Sequence, residues 1–409
     1  MALDLSSPLT LPCGAVLKNR LAKSAMSENM ASPELNADAK FAALYKAWAS
    51  GGAGLLISGN VMCDKRALGE PHNVVVEKNH ADLEGLKAWT AAGTASGTHL
   101  WMQINHPGRQ SPKFLSKQPV APSAIALKAP LDRVFATPRE LSETEILETI
   151  TRFADTAELA KSAGFTGVQV HGAHGYLVAQ FLSPLSNHRT DRWGGSIENR
   201  MRFAIEIYRA IRGRVGKDFP VGIKLNSADF QRGGFTEEES LQVIHALGQE
   251  GMDLVEISGG SYEAPVMMAG NRKSSTQARE AYFLEFAEKA RSHIKAPLMV
   301  TGGFRSAQGM RKALASGALD VIGLARSLAL DPSFPNKLLE DDGTVSLVRP
   351  LTTGIKWVDK AAPLEIIWYT RQLHRMGTGM EPNPKASVLA TLLKSLTEMG
   401  WQSLKRVRS

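Results

Sequence analysis

Eight short apolar runs along the first 330 residues constrain the fold more than any other feature of this chain. They are Arg20–Ala25, Gly54–Ser58, His99–Ile104, Gly167–Val170, Pro220–Leu225, Asp253–Ile257, Pro297–Thr301 and Asp320–Gly323. Each has the length of a strand and is nearly continuous in apolar character instead of alternating. That is the pattern of parallel strands buried on both faces.

Amphipathic stretches fill the intervals. Ser142 with Glu145 makes a capping-box signature ahead of Ile146, Ile150, Phe153, Ala157 and Ala160, a stripe that ends at Gly164. Thr236 with Glu239 repeats it before Val243, Ile244 and Leu247, closed by Gly251, and Ser306 opens a shorter helix through Met310 and Leu314 to Gly317. Strands alternating with helices eight times predict an α/β fold, a (β/α)8 TIM barrel. A doubly wound dinucleotide sheet loses support because no GxGxxG joins an early strand to a helix. The stretch PLTLPCGAVLKNR (8–20) reads as a hairpin plugging the barrel floor. The Pro-rich connection from Asn105 to Glu140 has no helical period, which points to a lid or binding loop. The expected division is a barrel over 1–345 and an extra C-terminal helical segment over 346–409, broken near 377–385.

Composition narrows the class. The 409 residues are 43% hydrophobic and 22% charged, which excludes disordered and collagen-like chains. Cys13 and Cys63 have no CxxC or CxxH neighbour, which argues against a disulfide framework, a structural zinc and an iron–sulfur cluster. The net charge of +8 suggests nucleic acid, but residues 351–409 hold nine Lys/Arg against four Asp/Glu, so most of the excess sits in the tail. The start MALDLSSPLTL lacks the basic flank of a secretory signal, and no apolar run approaches the ~18 residues of a membrane span. The expectation is a cytoplasmic protein with no membrane or nucleic-acid partner. Its basic segment can pack on its own barrel or on a neighbouring subunit, so a homo-oligomer is allowed.

In such barrels chemistry gathers where the strands end. The ends carry Ser24-Ala25-Met26, Gly59-Asn60, Gln103, His171 with His174 and Tyr176, Lys224, Gly302-Gly303 and Ala325-Arg326. Two imidazoles three residues apart in HGAHGY (171–176) can donate to one acceptor beside a phenol that offers a proton. A pair of structural histidines and a zinc site are the alternatives, and zinc would need a third ligand. Loops after the seventh and eighth strands bind phosphate in many barrels, which suits Gly302-Gly303 and Arg326, although tight turns alone would explain the glycines. Lys224 could snorkel, meet an anion or form a Schiff base, and Gln103 could anchor a loop or read a heterocycle's edge.

HGAHGYLVAQFLSPLSNHRTDRWGGSIENRMRF (171–203) resembles the signature stretch of the Old Yellow Enzyme family of FMN-dependent ene-reductases. LKNRLAKSAM (17–26), GLLISGN (54–60), MQINHPGR (102–109), PRELSETEI (138–146), VTGGF (300–304) and IGLARSLALDP (322–332) agree with it. The resemblance implies FMN at the barrel mouth and NADPH or NADH as reductant. Backbone groups of Ser24, Ala25 and Met26 would meet flavin N5, Gly59, Asn60 and Gln103 its pyrimidine edge, and Lys224 its N1. Gly302, Gly303, Ala325 and Arg326 would take the phosphate. His171 and His174 would bind the carbonyl of a small activated alkene, and Tyr176 would protonate its α-carbon in a ping-pong cycle. An amine dehydrogenase or demethylase on the same scaffold is the alternative. Departures are Ala25 where many relatives have Pro, Ser27 where they have Thr or Cys, and Lys224 in place of Arg.

Overall fold

In the computed structural model, residues 3–264, 283–361, 363–395 and 397 are described. Eight parallel strands close into a barrel: β1 (Leu21–Lys23), β2 (Leu55–Met62), β3 (His99–Asn105), β4 (Gly167–Gly172), β5 (Val221–Asn226), β6 (Leu254–Ser258), β7 (Leu298–Thr301) and β8 (Val321–Leu324). Every predicted run coincides with one of them. β8 closes on β1 through Ile322 opposite Leu21 and Gly323 opposite Ala22. The main helices are α1 (Ala39–Ser50), α2 (Leu83–Thr94), α3 (Glu143–Ser162), α4 (Arg202–Val215), α5 (Glu237–Glu250), α6 (Leu284–Arg291), α7 (Ala307–Ala315) and α8 (Arg326–Leu330). Both capping boxes form: Ser142 with Glu145 opens α3, and Thr236 with Glu239 opens α5. Each satisfies amide N–H groups that a helix start leaves without intrahelical partners.

Two local results differ from the sequence reading. In the sequence the second run stops at Ser58, and Gly59-Asn60 is read as the end of that strand. Instead β2 continues to Met62 through a register shift between Ile57 and Asn60: Ser58 and Gly59 form a bulge, and Asn60 resumes pairing opposite Gln103. The connection after β3 is also not featureless. It holds single 3₁₀ turns at Gly108–Gln110 and Leu131–Arg133, and Val120–Ala121 pairs with Arg139–Glu140.

The interior is filled from below. Leu9–Thr10 and Val16–Leu17 form the hairpin, whose Leu9, Leu11 and Leu17 pack with Ala22, Leu55, Ile57, Trp101, Leu254, Met299 and Val321 in a cluster separate from the larger outer core. Trp101, on β3, is fully buried there. Its indole fits because β4 and, one strand further, β5 carry glycine: a Cβ on Gly167 would lie 2.4 Å from Trp101 Nε1, and one on Gly222 would lie 2.9 Å from Cζ3. The outer core is aromatic between α1 and α2, where Trp89 meets Phe41, Tyr45 and Phe165 at 4.7, 5.0 and 5.2 Å.

After α9 (Phe334–Glu340) the chain forms α10 (Lys356–Ala361) and α11 (Leu364–Gly377). α11 lies on α1 and α8, and His374 Nε2 bonds the carbonyl of Glu28 at 2.9 Å. This segment therefore packs on its own barrel; Lys405, Arg406 and Arg408 of the basic tail lie outside the described residues. Among the described residues no helix is long and apolar enough to cross a membrane.

Gly167→Ala should cost about 1–3 kcal/mol by overpacking against the indole. Pairing it with Trp101→Leu should return part of that loss, measured as unfolding midpoints in urea.

Candidate active site at the barrel mouth

The strand ends are tied together by one buried carboxylate. Glu256, on β6, accepts from Lys224 Nζ at 2.9 Å, Thr301 Oγ1 at 2.6 Å and Gln169 Nε2 at 2.8 Å. Gln103 Nε2 donates to Gln169 Oε1 at 2.7 Å, and Ser24 Oγ shares a 2.6 Å hydrogen bond with Thr301 Oγ1. The strand register makes this possible, since Glu256 lies opposite Lys224 and Gln169 opposite Gln103. Burial opposes the charge on Glu256. Lys224 and the bonds from Thr301 and Gln169 outweigh it and hold the carboxyl below its ordinary range.

Two sequence-selected histidines and the tyrosine converge at the end of β4. The His171 ring lies 5.1 Å from that of His174 and 4.8 Å from that of Tyr176, both edge-on. His171 Nδ1 accepts from the N–H of Ala173 at 3.3 Å, which leaves the proton on Nε2. His174 adopts φ 60°, a conformation that costs a non-glycine residue about 1 kcal/mol. It is held there by the bond from its N–H to Asn226 Oδ1 at 3.1 Å and by Ser258 Oγ, 2.7 Å from Nε2. Burial and the Lys224 ammonium push the His174 imidazole down to about 3. Burial, with His174 and Lys224 adding to it, holds His171 well below its ordinary range. Both rings are therefore neutral near pH 7, while burial keeps the Tyr176 phenol protonated.

The other residues singled out fall into two groups. Gly59 N–H donates to Glu28 Oε1 at 2.8 Å, and a Cβ on Gly59 would lie 1.9 Å from Glu28 Oε2, so this glycine lets the chain after β1, carrying Ala25 and Met26, press against β2. Asn60 lies opposite Gln103 in the register. On the far side of the mouth Gly302 and Gly303 have φ of 110° and 98°, a turn only glycine adopts cheaply, and Ala325 precedes α8. Arg326 is not free there. Its Nη1 meets both carboxylate oxygens of Glu365, at 2.8 and 2.9 Å, on α11.

Several site residues escaped the sequence reading. Glu256 sat inside a run read as apolar; its signal was a second charge, Lys224, at the same depth of an equally apolar neighbour. Ser27 Oγ donates to Glu70, whose carboxyl is raised by burial. Arg109 Nη2 pairs with Glu263 at 2.8 Å, both side chains below a tenth exposed. Tyr262 OH lies 2.8 Å from Tyr176 OH. These partners come from loops over 40 to 150 positions away, and nothing local marks them.

The sequence matches the NADH:flavin oxidoreductase / NADH oxidase family over residues 4–342. The chain belongs to that family, the family of old yellow enzyme. A NADH-dependent flavin oxidoreductase iliE of Neonectria sp. (strain DH2) is 40% identical over 81% of the chain and 46% of its own length, so the chain spans about half of that relative. The iliE protein of Hypocrea jecorina (strain QM6a) is 38% identical over 82% of the chain and 89% of its own length. Among solved structures, a 2-naphthoyl-CoA reductase complex superposes with TM-score 0.76 at 30% identity, over 84% of this chain and 54% of that one. Histamine dehydrogenase from Rhizobium sp. 4-9 gives 0.72 at 25%, over 82% and 48%. An old yellow enzyme homologue from Zymomonas mobilis shares the fold, at 0.72, 24%, 84% and 95%. The oxidoreductase accordingly uses FMN, with NADH or NADPH as reductant.

The mouth fits FMN. An amide at Gln103 and a buried ammonium at Lys224 suit a polar heterocycle edge, and the Gly302-Gly303 turn suits a phosphate, towards which Arg326 would share its guanidinium with Glu365.

Lys224→Met leaves Glu256 charged and unpaired in the interior and should cost about 3–5 kcal/mol. Lys224→Met with Glu256→Gln should recover most of it, read from urea unfolding. A second expectation concerns acid. Burial, partly opposed by Asp64, drives His106 to about 4, and His171 and His174 also lie below their ordinary value. The unfolded chain then takes up these protons first, so stability is lost as the pH falls below about 6.5. The slope of unfolding free energy between about pH 6.5 and 5 should drop by about one proton in His106→Gln.

Proposed function

We propose that the protein reduces the activated C=C bond of α,β-unsaturated carbonyl or nitro compounds at the expense of NADH or NADPH, in a ping-pong cycle. The observation that carries this reading is the trio at the end of β4: two neutral imidazoles beside a phenol kept protonated by burial. His171 Nε2–H and the His174 ring would hold the substrate's oxygen and draw charge from the β-carbon, as an oxyanion hole does. Tyr176 would deliver a proton to the α-carbon. FMN, when bound, supplies the hydride chemistry. Ser24, Ala25 and Met26 would border its reactive edge, Gly59, Asn60 and Gln103 its pyrimidine edge, and Lys224 its N1 side. Gly302, Gly303, Ala325 and Arg326 would hold the phosphate. We assign 1–345 to the FMN-binding barrel and 346–409 to an extension, and a cytoplasmic setting fits this chemistry.

Amine oxidation is the second reading, supported by the likeness to histamine dehydrogenase and by the Glu70 carboxyl beside the two phenols, where a cationic substrate would find a counter-charge. Turnover of NADPH with cyclohexenone, set against oxidation of an amine, separates the two.

Purified protein should be yellow and bleach anaerobically on adding NADH or NADPH; protein that stays colourless with added FMN refutes both readings. In Tyr176→Phe, bleaching by the nicotinamide should persist while reoxidation by an enone slows about 10²–10⁴-fold. Equal loss in both halves would remove Tyr176 from the proton-donor role.

A further inference from the structure

Tyr176 is 8% exposed, and its hydroxyl lies 2.8 Å from that of Tyr262, which is 37% exposed. The second phenol is held in place from several sides. Its ring packs against Tyr176 at 5.9 Å and against Phe135, from the connection after β3, at 6.0 Å. The residue before it, Ser261, bridges to His174 and bonds Gln231 Nε2 at 3.2 Å. The residue after it, Glu263, is locked in the buried pair with Arg109 and accepts from Lys128 N–H at 3.1 Å. A loop fixed at both neighbours presents this hydroxyl to Tyr176 and its own surface to solvent.

We propose that Tyr262 is a proton relay: as Tyr176 gives its proton to carbon, Tyr262 gives one to the Tyr176 oxygen and is recharged from water. This rests on the proton-donor reading of Tyr176. The balance is complete. The α-carbon gains one proton, Tyr176 is unchanged, and the transient negative charge resides on the Tyr262 oxygen until solvent returns a proton to it. Without the relay a tyrosinate would form in a site where burial and the nearby Glu70 disfavour it. Burial and Glu70 raise the Tyr262 phenol as well, to about 12, but they hold Tyr176 well above its ordinary value, so within the hydrogen-bonded pair the charge is better placed on the more exposed Tyr262. In the substrate-free protein either oxygen can be the donor of the shared bond, so the pair can run in the direction required.

The test is Tyr262→Phe, which keeps the ring between Phe135 and Tyr176. The holoenzyme is reduced anaerobically and mixed with cyclohexenone or with a nitroalkene. Hydride addition to the nitroalkene yields a nitronate and needs no proton at carbon. Reoxidation by the enone should slow about tenfold or more, while that by the nitroalkene stays within about twofold. Equal slowing with both acceptors would make Tyr262 a packing residue, and no slowing with the enone would make it a bystander; either overturns the relay. A wild-type enzyme reoxidised by neither acceptor instead overturns the ene-reductase reading, and the relay with it. A readout without turnover is alkaline ultraviolet titration, with the double variant Tyr176→Phe/Tyr262→Phe as baseline. The ionisation of Tyr176 should move in Tyr262→Phe, and an unmoved midpoint shows that the hydroxyls share no proton and overturns the proposal.

Discussion

The carboxylate of Glu256 organises the upper half of this barrel. It is fully buried, and a lone charge in such a place would be prohibitively costly. Three donors on three other strands meet it, and through Gln169 and Thr301 the network reaches Gln103 and Ser24. Residues of β3, β4, β5, β6 and β7, with the residue just after β1, are thus held at fixed spacing by one ion. Hydrophobic packing alone would not set that spacing, because apolar contact is not directional. The consequence is a rim whose amides and ammonium are already aimed before any ligand arrives, the condition under which electrostatic stabilisation needs no reorganisation.

Above that rim, the loops obey a second constraint. Side chains on the histidine side are fixed by partners from other strand ends and loops: His174 by Asn226 and Ser258 at the ends of β5 and β6, Arg109 by Glu263, Tyr176 by Tyr262. Arg109 and Glu263 are nearly water-free, so removing one leaves a buried charge, and the pair fixes which conformation the loops share. The left-handed backbone of His174 persists because its surroundings over-determine it.

Much of this was readable from the chain alone, for reasons that differ by element. Parallel strands buried on both faces write continuous apolar runs, so all eight were legible, and capping boxes place helix starts within a residue. The strand ends could be found because barrel topology puts them on one face. The bulge at Gly59 was not legible, since the same residues also suit a turn. Arg326 could be chosen as a cation at a strand end, but its carboxylate partner is 39 residues away on a helix that no motif links to it. Glu28, Glu70, Glu263 and Tyr262 are ordinary loop residues until the fold closes around them.

The closure of the mouth also has an order in time. β1, made first, stays without one neighbour until β8 emerges, and two of the fastenings above the rim arrive later still. Glu365 reaches Arg326 and His374 reaches the Glu28 carbonyl from α11, near the end of the described chain. During synthesis the earliest barrel strand therefore waits for a helix made after the barrel is complete. A ribosome-bound barrel that stops short of α11 presents Arg326 without its counter-ion and the loop after β1 without its outer support. The two fastenings from α11 therefore form only after the whole barrel has been made.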